Sequence, residues 1–374
     1  MKFTCSHQTW VRGINAVQNA VGSPISNPIV ENIHVSCEED KVRFLATNLN
    51  LTIRCVGEAQ VQEMGQIVLP TKVISSVVRD LPAGEVVFQE KEGTIRLKCM
   101  EFSARLKGQP GEQFPAFIGV EAGMDISIRV DKLKEVIPKT TFATSQEKSR
   151  YELDGVKFDL KESGLHFIST DGRRLSMYTY RSESMPSGPL SVLVPTRTLQ
   201  EVSHSLPDEG EVNIRLQERK VQFTCGDTTV ISNLLTDNFP QYEKIVPSGG
   251  QIKVIFNREE LLTAVKRASN LSSLETSMLI FRFEPNEVEV YGERTEVGGE
   301  GRDKISVEYS GEKMEIRYNH RFMTDFLRVL DEEKVELEII DPTKPGIYRG
   351  IGNPSFLYVL MPMKPPENEP IASE

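Results

Sequence analysis

Apolar residues along this chain alternate between two periods, and the order in which they do so recurs. Trp10, Ile14, Val17 and Val21 stand at helical spacing behind Ser6, which predicts a helix over 6–20 with Ser6 as its N-cap. Residues 33–37, 42–47 and 51–56 then alternate apolar and polar side chains, the period of half-buried strands. A second helix is predicted over 71–80, opened by Val68-Leu69-Pro70-Thr71-Lys72 and closed by Leu81-Pro82. More strands follow, among them 95–100, before Phe114-Pro115 and a Gly-rich linker at 119–123.

The same order then starts again. Asp131 is expected to cap a helix carrying Leu133, Val136 and Ile137, with Pro138 kinking or ending it. Strands near 153–160 and 165–169 precede a turn at Asp171-Gly172. Val194-Pro195-Thr196-Arg197 opens a helix over 196–205 that closes at Leu206-Pro207, and Phe239-Pro240 follows. Openings, closings and Phe-Pro pairs each recur after 125 residues. A third round begins near residue 250, after a linker at 248–250: Asn257 and Glu260 form a capping box, Leu261, Leu262, Val265 and Ala268 an apolar stripe, and 319–330 the last helix. Three units of domain size account for all 374 residues, and they are placed at 1–122, 123–250 and 251–374. Two helices among short alternating strands in each unit give an α+β fold, antiparallel sheets covered by helices.

Composition changes this picture little. The chain is 39% hydrophobic and 26% charged, and no apolar run reaches the length of a membrane span. Met1-Lys2-Phe3-Thr4 passes straight into amphipathic sequence, so no signal peptide is expected. Cys5, Cys37, Cys55, Cys99 and Cys225 form no CxxC pair and fit structural thiols in a reducing cytoplasm. The last ten residues, Pro365 to Glu374, are rich in proline and acid and are expected to be disordered.

Candidate chemistry is scarce. His7, His34, His166, His204 and His320 are scattered, without HExxH or HxH spacing, and neither a phosphate-binding GxxxxGK nor a GxSxG elbow occurs. No active site, metal or cofactor is expected. Charge placement says more. The formal net charge is −10, which argues against nucleic acid as a partner. Yet the six predicted helices carry twelve basic residues: Arg12, Lys72, Arg79, Lys132, Lys134, Lys139, Arg197, Arg258, Lys266, Arg267, Arg321 and Arg328. Their acids are seven: Asp80, Asp131, Glu135, Glu201, Glu259, Glu260 and Asp325. Six helices of one repeat series that lean basic on an acidic chain predict a shared positive surface.

Two stretches carry a family resemblance. Thr170-Asp171-Gly172-Arg173-Arg174-Leu175 resembles the TDGHRL stretch of the bacterial sliding clamps, the beta subunits of DNA polymerase III. Tyr358-Val359-Leu360-Met361-Pro362-Met363-Lys364 resembles that family's YVVMPMR signature, and the likeness runs from residue 1 to about 364. The resemblance implies a head-to-tail homodimer whose six domains close into a ring around double-stranded DNA, sequence-independently, with the basic helices facing the duplex. It implies a processivity factor of DNA replication, not an enzyme, that tethers the polymerase III catalytic subunit, the clamp loader, other polymerases and repair proteins through short peptides.

Carried over by motif, the implied peptide cleft between the second and third domains is made by Leu153, Thr170, Gly172, Arg173, Arg174, Leu175, Pro240, Lys244, Ile245, Asn319, Phe322, Val359, Leu360, Met361, Pro362 and Met363. Flexible thioethers at Met361 and Met363 suit an adaptable pocket. Leu271 matches a position of the family's dimer interface. Arg173 replaces the usual histidine, Lys244 stands where arginine is common, and Asn270 replaces a more apolar residue. Pro24 lies where some members carry a DNA-touching arginine, so that contact is not carried over.

Overall fold

The computed structural model describes residues 1–22, 27–145, 147, 151–182, 185–186, 188–246, 250, 252–273, 275–294 and 297–364. Pro24, the linker at 248–249 and the tail 365–374 lie outside these. Among the described residues six α-helices are present: α1 (His7–Val17), α2 (Thr71–Arg79), α3 (Val130–Thr141), α4 (Thr196–Ser205), α5 (Arg258–Ser269) and α6 (His320–Val329). Each follows a strand without a gap or after a single residue, in order Lys2–Ser6, Gly65–Leu69, Met124–Arg129, Leu190–Pro195, Ile252–Asn257 and Met314–Asn319. The strand-to-helix step therefore occurs six times in one chain, two per repeat.

Local chemistry explains most of the helix starts. Ser6 accepts from the Thr9 amide at 3.1 Å, Asn257 from those of Glu259 and Glu260, and Asn319 from that of Arg321, each satisfying donors a first turn leaves free. α2 and α4 begin after Pro70 and Pro195, whose fixed φ leads into the first turn. At α3 one expectation needs correction, and of the two effects expected of Pro138, kinking or ending, the ending does not occur. The helix starts at Val130, so Asp131 lies inside the first turn, its carboxylate held by Arg129. Pro138 does not end the helix, which continues to Thr141. Beyond it the hydroxyls of Thr140 and Thr141 bond back to the carbonyls of Val136 and Ile137.

Contacts divide the chain into two compact units. One is built mainly from Met1–Glu135 and Val194–Leu235, the other from stretches beginning at Val136 and Thr236. In the first, a five-stranded sheet ends at the edge strand Phe102–Lys107. A nine-stranded antiparallel sheet contains Lys41–Thr47 and Leu51–Glu58, and the latter pairs onward with Thr228–Asn233. Its core stacks Phe3, Trp10, Phe44 and Phe88, with ring centroids 5.0 to 5.9 Å apart.

The second unit repeats this plan. One sheet runs from Gly155–Lys161 through Gly164–Thr170 and Arg174–Tyr180 to Phe356–Leu360, Gly346–Gly350 and Lys334–Ile339. It continues through Ile252–Asn257, Gly299–Glu308, Glu287–Arg294 and Met278–Glu284 to Met314–Asn319. The step from Arg174–Tyr180 to Phe356–Leu360 mirrors that from Leu51–Glu58 to Thr228–Asn233. α6 is fixed to it by Phe326, stacked on Tyr358 at 4.6 Å. All five cysteines are free and buried, and burial pushes the Cys5 thiol up to about 12, so it stays a neutral core side chain.

Candidate functional site

The second unit gathers most of the predicted cleft around the pairing of Arg174–Tyr180 with Phe356–Leu360. Leu175 stands opposite Val359 and Met177 opposite Leu357, and alternation sends all four toward the same face. With Ile168, Ile347 and Tyr242 they form one apolar cluster, against which Phe239, Ile245 and Val246 pack while only partly buried. Leu175 and Val359 are almost completely buried, worth about 2 kcal/mol each to the fold. They are floor. The apolar surface left for a partner comes from the half-buried lip, Met177, Ile245 and Val246, and from Met361, which is 41% exposed.

A hydrogen bond fixes one side of the lip. The Tyr242 hydroxyl donates to Asp159 at 2.7 Å, and Lys161 reaches Asp159 at 3.1 Å and Glu243 at 3.3 Å. Burial, and then Asp159, push the tyrosine hydroxyl well above its ordinary range, so it keeps its proton and remains a donor. The short turn Tyr242–Lys244 is thereby held to the sheet, with Lys244 exposed.

The turn at 170–174 fixes the other side. Thr170 donates its hydroxyl to the Arg174 carbonyl, and Asp171 accepts from the amides of Arg173 and Arg174 at 2.9 and 3.0 Å. Gly172 takes φ +85°, a conformation that favours glycine. The two arginines then part. Arg173 is exposed, and its carbonyl accepts from the Met361 amide at 3.0 Å. Arg174 is 8% exposed and donates to Asp171, Asp325 and the Phe142 carbonyl at 2.7 to 2.9 Å, its guanidinium 4.3 Å from the Phe322 ring centre. Arg174 is a brace between the turn and α6, which corrects its expected place as a wall presented to a peptide.

The remaining predicted residues sort by exposure. Leu153, Thr170 and Leu360 are buried, with the Leu153 carbonyl accepting from the Ser145 amide at 2.9 Å. Pro240, Phe322, Pro362 and Met363 are half-buried, and the Met363 amide bonds to the Arg317 carbonyl at 2.8 Å. Asn319 serves as the cap of α6. Sequence reasoning missed Met177, Phe239, Tyr242, Val246, Leu357 and Ile347. Met177 follows Leu175 at strand period and Phe239 belongs to a recurrent Phe-Pro pair, so both carried a signal. Ile347 carried none, because its place depends on which strand pairs with Phe356–Leu360.

The basic helix residues do not form one class. Lys139 is 2% exposed and its ammonium meets Asp331 at 2.7 Å, so it is removed from the expected positive surface. Arg12, Lys132, Lys134, Arg258 and Arg267 are paired with Asp227, Glu135, Asp208, Glu259 and Asp303. Arg197 is exposed and donates to the Asn19 carbonyl. Lys72, Arg79, Lys266, Arg321 and Arg328 are exposed, and their side chains meet no acid among the described residues.

Leu271 follows α5 and is half-buried against the strand Gly299–Glu308: a Cβ on Gly299 or Gly301 would come within 3.0 or 3.2 Å of its methyl groups. That strand pairs with Glu287–Arg294 along residues 299–306, but on its other side, among the described residues, only Ile255 and Phe256 meet Glu308 and Val307. Most of that edge is open.

Comparison with known proteins gives one answer along the whole chain. Models of the N-terminal, central and C-terminal domains of the DNA polymerase III beta subunit match residues 1–118, 127–241 and 243–364. A beta sliding clamp of Chlamydia pneumoniae is 30% identical over 365 residues, covering 97% of this chain and 99% of its own. The crystal structure of the DNA polymerase III subunit beta from Pseudomonas aeruginosa is similar at 25% identity and a TM-score of 0.91, covering 98% of this chain and all of the other. A sliding clamp of the same organism bound to griselimycin is similar at the same identity and coverage, with a TM-score of 0.92.

Proposed function

The chain belongs to the bacterial sliding clamps, the beta subunits of DNA polymerase III, and from that premise we propose that it acts as a processivity factor that encircles duplex DNA and tethers its partners by short peptides. The observation that carries the tethering is the groove over Leu175 and Val359, an apolar floor with a half-buried lip and an exposed methionine. Such a surface accepts a short segment bearing large apolar side chains and adapts to more than one of them. The polymerase III catalytic subunit, the clamp loader, other polymerases and repair proteins are the partners in this reading. Arg173 and Lys244 stand beside the lip, where they favour acidic residues flanking the apolar ones.

Two copies associate head to tail, the first repeat of one against the third of the other. The open edges of Phe102–Lys107 and of 299–306 support this, since an unpaired edge strand is a template for another chain. The repeats are taken as 1–122, 123–250 and 251–374. The ring works without catalysing a reaction, in the cytoplasm, where the five buried thiols stay reduced.

DNA is held by topology and only weakly by charge. Lys72, Arg79, Lys266, Arg321 and Arg328 offer cations that meet no acid among the described residues, and the ion-paired basics offer less. Few direct phosphate contacts mean binding that is weak, strongly salt-dependent and blind to sequence. The protein loaded on circular duplex is therefore expected to stay bound at salt that releases it from linear fragments. Equal loss from circular and linear DNA overturns encirclement.

A further inference from the structure

The groove over Leu175 has a counterpart inside the first compact unit. Thr47 donates to the Leu51 carbonyl as Thr170 does to that of Arg174. Asn48 accepts from the amides of Asn50 and Leu51 as Asp171 does from those of Arg173 and Arg174. Leu49 even takes φ +75° where Gly172 has +85°. The pairing repeats too: Thr52 faces Ile231 and Arg54 faces Thr229, as Leu175 faces Val359 and Met177 faces Leu357. Phe114 packs in a cluster with Leu45, as Phe239 packs against the cluster that holds Ile168.

The scaffold is shared and the chemistry is not. Leu175 and Met177 have become Thr52 and Arg54. At the Arg54 end of this pairing lies a cavity of about 440 Å³, lined by Leu45, Phe114 and Phe117 on its apolar part and by Arg43, Arg54 and Glu112 on its charged part. Arg43 is engaged by Glu38. Arg54 is engaged by no acid among the described residues: its guanidinium carbon lies over Phe117, 3.9 Å from the ring centre, and its Nε is buried without an acceptor among the described residues. Arg43 and Arg54 sit diagonally on neighbouring strands, and Glu38 meets only Arg43 of the two. A buried guanidinium donor without an acceptor costs free energy that one carboxylate beside it recovers.

We propose that this cavity is a second peptide site, selective for an acidic residue flanked by an apolar one, with Arg54 receiving the carboxylate and Leu45, Phe114 and Phe117 the apolar side chain. The chain would then hold two homologous grooves of different taste, one for apolar segments and one for a segment with a single well-placed carboxylate. Glu112 limits the second site to about one acid, since a further carboxylate would meet it.

The experiment places 4-fluorophenylalanine at position 117 of the full chain and reads its fluorine resonance, which reports on this cavity and not on the groove over Leu175. The probes are acetyl-Leu-Glu-Leu-amide and acetyl-Leu-Gln-Leu-amide. The glutamate peptide is expected to give a saturable shift, and the glutamine peptide to bind at least about tenfold more weakly. Arg54→Gln is expected to erase the difference between the two. Equal affinities, or no saturable shift up to millimolar peptide, overturn the proposal, as does a shift produced by oligothymidylate and not by peptide. The peptide pair decides the matter without a variant should Arg54→Gln fail to fold. Loss of apolar peptides from the groove over Leu175 would sink the tethering function and leave this site standing.

Discussion

Arg173 and Arg174 are adjacent, equally charged and on one turn, yet they do different work. Arg173 stays on the exposed turn, while Arg174 opens the strand and is buried against Asp325 of α6. Arg174 bonds two carboxylates and a carbonyl while nearly buried, and such a group stabilises only while all its partners remain. Arg174→Met keeps the bulk but leaves Asp171 facing an apolar side chain. It is expected to cost about 2–3 kcal/mol locally, the value of charged hydrogen bonds lost from a buried site. Hydrogen exchange at the amides of Arg173 and Arg174 should accelerate correspondingly, and peptide affinity at the groove should fall with it. Arg173→Met is expected to leave exchange unchanged and to alter only the salt dependence of peptide binding. Unchanged exchange in Arg174→Met would return Arg174 to the rim.

At the scale of elements, the same contrast explains what could be read from sequence. Helix periods, the Ser6 and Asn257 caps and the 125-residue recurrence are local or self-similar signals, and they located the six α-helices seen among the described residues. Asp131 misled because Arg129, two residues earlier, holds its carboxylate within the first turn. The groove was half legible. Its turn and its last strand are contiguous motifs, but Ile347 enters through a pairing that no local pattern specifies. The burial of Lys139 was likewise hidden, because its partner Asp331 lies 192 residues away.

Leu271 is a test at this scale. The glycines at 299 and 301 leave room for it against the strand whose other side is paired only at Val307 and Glu308 among the described residues. Leu271→Ala removes about 2 kcal/mol of burial from each of two symmetric contacts if this edge joins a second copy. Sedimentation at micromolar concentration should then shift toward monomer, with the helical signal unchanged. An undiminished dimer would take Leu271 out of the interface.

For the whole molecule, two sets of titrating groups push stability the same way with pH. His34, His166 and His320 all have pKa values lowered from 6.5 chiefly by burial, opposed at His34 by Gln66 and Glu112 and reinforced at His320 by Arg321. The unfolded chain therefore binds protons on these residues more readily than the folded one. Their contribution is complete above about pH 6.5 and is lost as pH falls from there through the folded values. Asp125, Asp208 and Glu284 are lowered by Arg215, Lys134 and Lys313, so their contribution is complete above the ordinary carboxylate range and lost only in stronger acid. The overall negative charge shrinks over the same interval, toward a pI near 5.3, which reduces self-repulsion and works against the loss. Exposed charge repulsion is screened at physiological salt, whereas burial of an imidazole is not, so the histidines decide the sign. The melting temperature is expected to be flat between about pH 8 and 7 and to fall by roughly 2–4 °C per kcal/mol lost on going below pH 6.5. His34→Gln, which retains a partner for Gln66 without a titrating ring, should flatten part of that slope. A melting temperature that rises between pH 7 and 5.5 at 0.15 M salt would mean that charge repulsion, and not the buried histidines, governs the fold.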